Sequence, residues 1–260
     1  MAWQDRNSQQ HQRDGLGGAG SGWNQRGAGD PLAHMGDEEL AGRTTMARAF
    51  LNRVFTWMFA GLLVSGGAAW AVLSDQGLYL TVGRHFMAFA IAELIIVMGL
   101  SAMLRRMSPL VATAAFLGYS ALNGLTIGVI VSAYTAASVS NAFFTAAFAF
   151  GGMAVFGAVT KKDLSGIGSF LMMGVWAILA SMVLNFFLHS TALDFVVSAF
   201  GALIFTGLTA VDVQRFRKLG FMGSQTEDEN RKMALMGALQ LYLDFINMFL
   251  FLLRLFGRRR

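Results

Sequence analysis

Seven apolar stretches of roughly 20 residues each leave this chain few folds to choose from. They run Val54–Leu73, Phe86–Leu104, Leu110–Ser132, Asn141–Thr160, Gly166–Leu188, Phe195–Val213 and Leu235–Phe256. About 20 helical residues cross the hydrocarbon core of a bilayer. Backbone polar groups find no water there, so a spanning segment is a helix or belongs to a closed barrel. The stretches lack the apolar–polar alternation of barrel strands. The expectation is an all-α, multi-pass membrane protein of seven transmembrane helices. Composition agrees, because 13% of residues are charged where a soluble domain carries about 25%.

Residues 1–45 are rich in Gln, Gly, Asp, Asn and Arg and show no apolar period. Too little can be buried there to offset the entropy of ordering, so they read as a disordered cytoplasmic tail. No short apolar core follows the start, which excludes a secretory signal in this stretch. Its histidines, His11 and His34, are isolated and read as solvent-facing. Residues 46–260 form the membrane domain. The chain has no cysteine, so disulfides, thiolate chemistry and cysteine metal sites are excluded.

The net charge of +5 does not point to nucleic acid. The first 50 residues hold five Arg against six Asp and Glu, so the excess lies in the membrane domain. There it reads as topology and contact with anionic lipid. Arg105 and Arg106, then Lys161 and Lys162, then Arg215, Arg217, Lys218, Arg231 and Lys232 mark alternate connections, while the others carry only Arg84. By the positive-inside rule the N-terminus is cytoplasmic. Seven spans then place the C-terminus outside, yet it ends Arg258–Arg259–Arg260. Either this short basic end is translocated or the last helix does not cross fully.

Two acids stand inside the last two stretches, Asp212 and Asp244. An intramembrane carboxylate is costly and usually faces a protein interior or a water-filled path. On the last helix, Gln240, Asp244, Asn247 and Arg254 recur at steps of four, three and seven, which is one wet face. On the helix before it, Thr206, Thr209 and Asp212 recur every third residue. Two carboxyl groups in a poorly hydrated site cannot both ionise easily, so such a pair shares a proton and titrates as a unit. Ionised, the same oxygens attract Ca²⁺, so Asp212 and Asp244 are also the candidate metal-contacting residues. Glu93, Thr209, Gln240 and Asn247 are the further candidates to line an ion path.

Blander roles compete. Asp212 has Arg215 three residues away, a ready ion-pair partner. Asp163 and Asp194 stand at span ends, where capping is the expectation. The Glu227–Asp228–Glu229 run reads as solvated. The glycine pair Gly124 and Gly128, and Gly151, Gly152 and Gly157 in the fourth span, read as close helix crossings rather than ligand contacts. The chain does not read as an enzyme: GxSxG, HExxH and P-loop motifs are absent. The last span has no lysine for a retinal Schiff base, and neither aspartate has a GxGD context for an intramembrane protease. No cofactor is expected.

The segment LYLDFINMFLFLLRLFG, Leu241–Gly257, closely resembles the Bax inhibitor-1 (transmembrane BAX inhibitor motif) family, and above all its bacterial members. Ala210–Gln214 and Lys161–Ser165 are similar to further patterns of that family, and the resemblance covers roughly residues 46 to 257. It implies seven helices with the last one central, wrapped by the other six. It implies a pH-sensitive calcium leak in the inner (cytoplasmic) membrane, with Asp212 and Asp244 as a di-aspartyl sensor. The family's latch arginine falls on Arg106 or Arg105, and its span-two acid on Glu93. Some bacterial relatives are associated with a membrane-bound ATP-dependent protease, which makes such a protease a candidate partner alongside lipid, protons and calcium.

Overall fold

The structure is a computed structural model, and it describes residues 36–224 and 226–259, with the side chain of Arg105 outside the description. Most of the expected tail, residues 1–35, lies outside the described residues. The chain divides into Met1–Gly42 and Arg43–Arg260. Of the first unit, the described part is the opening of a helix with Asp37, Glu38 and Glu39 in its first turn, where acids suit the helix dipole.

Among the described residues there are eight α-helices: α1 (Asp37–Ser74), α2 (Gln76–Arg84), α3 (Phe86–Met103), α4 (Pro109–Ser132), α5 (Ala136–Val159), α6 (Ser165–Leu188), α7 (Thr191–Met222) and α8 (Glu227–Phe256). A 3₁₀ turn, Leu104–Arg106, joins α3 to α4. All but the short α2 are long and apolar enough to cross a membrane, seven spans among the described residues. Short polar side chains start four of them: Ser108, Thr135, Ser190 and Thr226 each accept a hydrogen bond from a backbone N–H of the first turn.

Several helices outrun their apolar stretches. The first begins at Asp37 rather than near Val54, so residues 37–45, expected in the tail, are helical. Helix α7 continues past Val213 to Met222, which puts Arg215, Arg217 and Lys218 on a helix rather than in a loop. The connection to α8 is then only residues 223–226, opened by Gly223 at φ 74°, a conformation that glycine adopts without strain. The physical reason is that hydropathy records where a helix leaves the hydrocarbon, not where its hydrogen bonds stop.

Helix α8 is central. Leu239, Leu241, Tyr242, Met248 and Leu253 are buried on successive faces of it. Phe245 packs edge-on against Phe143 and Phe150 of α5, and Phe251 stacks on Phe205 of α7. The wrapping is uneven, because α6 is seated on α7 and buries only Ile178 among its own residues. Small residues set the crossings: a Cβ on Gly124 would meet the Ser65 backbone, one on Gly128 the α1 backbone at Ala69, and one on Gly157 the Ala210 backbone. Gly151 and Gly152 face open space and, contrary to expectation, mark no crossing.

The far end of α8 is tied to the turn between α4 and α5. Thr135 N donates to Arg258 O at 3.1 Å, and Arg258 N donates to Ser138 Oγ at 2.9 Å. Arg254 lies 3.5 Å from Asp194 at the start of α7. The last helix therefore runs the full length of the bundle, and its basic end sits with the α4–α5 turn.

Candidate functional site

Asp212 on α7 and Asp244 on α8 are brought together in the interior, 4% and 5% exposed. Their carboxyl groups lie within hydrogen-bonding reach of each other. Gln240 Nε2, one turn before Asp244, donates to Asp212 Oδ2 at 2.8 Å. Asp244 Oδ2 is buried without a hydrogen-bond partner among the described residues. Arg215 stays exposed beyond ion-pair distance of Asp212, so the local pair that the spacing allowed is not made. Two acids that meet each other rather than a base cannot both ionise easily.

The other expected path residues fall in different places. Thr209 is buried one turn from Asp212, and its hydroxyl donates to Phe205 O at 2.9 Å. Thr206 does the same to Ala202 O at 2.7 Å. Asn247 donates to Leu243 O on its own helix at 2.9 Å. Arg106 is exposed in the 3₁₀ turn, and no hydrogen bond or ion pair joins it to either aspartate. Arg105's side chain lies outside the described residues.

Glu93 belongs to a second buried polar cluster. It accepts from Asn123 Nδ2 at 3.0 Å and from Thr126 Oγ1, both on α4. Asn123 Oδ1 accepts from the Tyr242 hydroxyl at 2.8 Å, and that hydroxyl shares a 2.7 Å hydrogen bond with Ser65 Oγ of α1. Ser65 Oγ also donates to Ser120 O at 2.8 Å. Tyr242 and Asp244 are two residues apart, so they point to opposite sides of α8. The central helix is thus held by polar groups on both flanks. Sequence reading passed over Ser65, Asn123 and Tyr242, although each is a polar residue in an apolar span, the signal that singled out the acids.

The aspartate pair offers four carboxylate oxygens, whereas Ca²⁺ takes six to eight. Gln240 turns its amide nitrogen, not its oxygen, toward them. No group of three or more His, Cys, Asp or Glu suited to a metal occurs among the described residues. The two carboxyl groups by themselves do not complete a Ca²⁺ coordination shell.

A family model described as inhibitor of apoptosis-promoting Bax1 matches residues 47–260. The chain belongs to the Bax inhibitor-1 family. It is 42% identical over 217 residues to the inner membrane protein YbhL of Escherichia coli (strain K12), covering 82% of this chain and 93% of YbhL. A Deinococcus radiodurans protein is 42% identical over 212 residues, covering 82% and 91% of the two chains. A Borreliella burgdorferi protein is 41% identical over 214 residues, covering 81% and 92%. This member of the Bax inhibitor-1 family is therefore a multi-pass membrane protein in contact with the lipid bilayer.

Polar anchors brace both ends of this Bax inhibitor-1 bundle. Asp163 accepts from Lys218 Nζ at 2.7 Å and from Ser165 Oγ at 2.8 Å. The Lys218 hydrogen bond, then those from Ser165, hold its carboxyl down at about 2. Glu227, expected to be merely solvated, lies 2.9 Å from Arg53 of α1 and 3.4 Å from Arg231. Asp194 pairs with Arg254, and Ser190 takes the capping role expected of it.

Proposed function

We propose that this protein is a low-conductance, pH-sensitive cation leak of the bacterial inner membrane, with Ca²⁺ as the permeant ion and the N-terminus in the cytoplasm. The observation that carries the reading is the buried contact of Asp212 with Asp244 across the seam between the last two helices. In the closed state the pair shares a proton and ties α7 to α8. When that proton leaves, two like charges face each other in a poorly hydrated site and push the helices apart. Arg106, exposed and without a hydrogen bond or ion pair among the described residues, is a cation free to compete for ionised Asp212 as α8 moves. The unpartnered Asp244 oxygen then meets the passing ion.

Ca²⁺ entry into proteoliposomes across a pH series tests this. Wild type is expected to show a flux that rises with pH, and Asp212→Asn and Asp244→Asn are each expected to remove that dependence. Flux absent at every pH, or indifferent to both substitutions, overturns the reading.

A further inference from the structure

A groove of about 720 Å³ runs along one side of the α6–α7 seam and bottoms on Asp212 and Gln240. One helical stripe of α6, Ser165, Ser169, Met172 and Trp176, faces a stripe of α7 that carries Leu208, Arg215 and Lys218. The chemistry is graded along its length. The end near the α5–α6 loop is basic: Arg215 and Lys218 line it, and Lys161 and Lys162 lie in that loop, both exposed. Asp163 is the acid at that end, and Lys218 already holds it at 2.7 Å. Arg215 has no hydrogen bond or ion pair among the described residues. The other end is apolar, with Met172, Met173 and Trp176 in the wall.

We propose that this groove seats one anionic phospholipid, its phosphate on Arg215 and Lys218 and an acyl chain along Met172, Met173 and Trp176. Length fits: eleven residues separate Ser165 from Trp176, about 16 Å at the helical rise and close to one leaflet of a ~30 Å core. Trp176 is 69% exposed in the middle of a 24-residue span, not at the headgroup level where membrane tryptophans collect. A mid-depth ring beside two flexible methionines suits an adaptable chain-binding wall. Charge selects the headgroup, since a zwitterionic lipid brings the same phosphate but sets its quaternary ammonium among Lys161, Lys162, Arg215 and Lys218, whereas an anionic headgroup brings no cation there.

The seated phosphate holds the Arg215 guanidinium three residues along α7 from Asp212, and so changes the field at the aspartate pair. Lipid therefore biases the aspartate pair. This consequence rests on the gating reading above, whereas the binding site does not.

The test is native mass spectrometry of the full chain in detergent, offered phosphatidylglycerol, phosphatidylcholine of the same chains, or inorganic phosphate. The expected result is one phosphatidylglycerol retained in preference to phosphatidylcholine and undisturbed by millimolar phosphate. Retention should fall about tenfold or more in Arg215→Gln/Lys218→Gln. Ser169→Phe, which fills the groove and leaves the charges in place, should lower it as well. Thermal midpoints in phosphatidylcholine identify variants that fail to fold. Equal retention of both lipids, or retention unmoved by either variant, overturns the site. Flux in vesicles with and without phosphatidylglycerol then tests the coupling. Identical pH profiles in the two membranes overturn lipid control, and a flat profile in both overturns the gate itself.

Discussion

The side-chain amide of Gln240 donates to Asp212 across the α7–α8 seam at 2.8 Å, from a position one turn before Asp244 on the same helix. Three polar groups thus meet in a contact where two helices supply complementary roles. A donor aimed at one carboxyl breaks the symmetry of the pair, because it favours the charged form of the acid that it touches.

Gln240→Leu should therefore displace the pH profile of Ca²⁺ flux while leaving the flux itself pH-dependent. It should also lower the thermal stability by about 1 kcal/mol, the scale of interhelical hydrogen bonds in membranes. Flux measured alongside thermal unfolding in detergent separates the two effects, and an unmoved profile would mean that Gln240 does not act on the pair.

Tyr242→Phe deletes the hydroxyl between Asn123 and Ser65 and leaves both with a lost partner in the interior. A loss of about 1 kcal/mol is expected. Asn247→Ala should be close to neutral in stability, since that side chain returns to its own backbone. Equal melting of the two variants would contradict the second polar cluster as a brace.

Glycine substitutions offer a matched comparison within one helix. Gly157→Ala drives a Cβ into the Ala210 backbone and should cost about 2 kcal/mol or more, because backbone cannot step aside. Gly152→Ala meets open space and should be neutral or slightly stabilising, since alanine is favoured over glycine in helices by about 1 kcal/mol. Thermal unfolding of the two variants checks the pair.

Asp163 sets a pH dependence outside the membrane. Its carboxyl lies at about 2, below the ordinary value of 3.8, first because Lys218 donates to it. A lowered folded value means that the contribution to stability is present above about pH 4 and is lost as pH falls toward 2. Wild type and Asp163→Asn should differ in unfolding midpoint at pH 5 to 7 and converge as the pH approaches 2. A constant difference across that range would show that the Lys218 contact is not electrostatic.

The sequence by itself determined the spans, because the cost of charge in hydrocarbon writes each one as an apolar run. It also singled out Asp212 and Asp244, which stand out against such runs for the same reason. Helix ends were less legible: the extension of α7 to Met222 carries Arg215, Arg217 and Lys218 past the apolar run, where hydropathy says nothing about hydrogen bonding. Only the tertiary structure decided which polar residues meet. Asp212 could have taken Arg215 three residues away, but the packing of α7 on α8 gave it Gln240 and Asp244 instead. Ser65, Asn123 and Tyr242 lie on three helices, and no local period relates them. Periodicity reports the face of one helix, whereas a buried hydrogen bond between helices depends on the crossing of two.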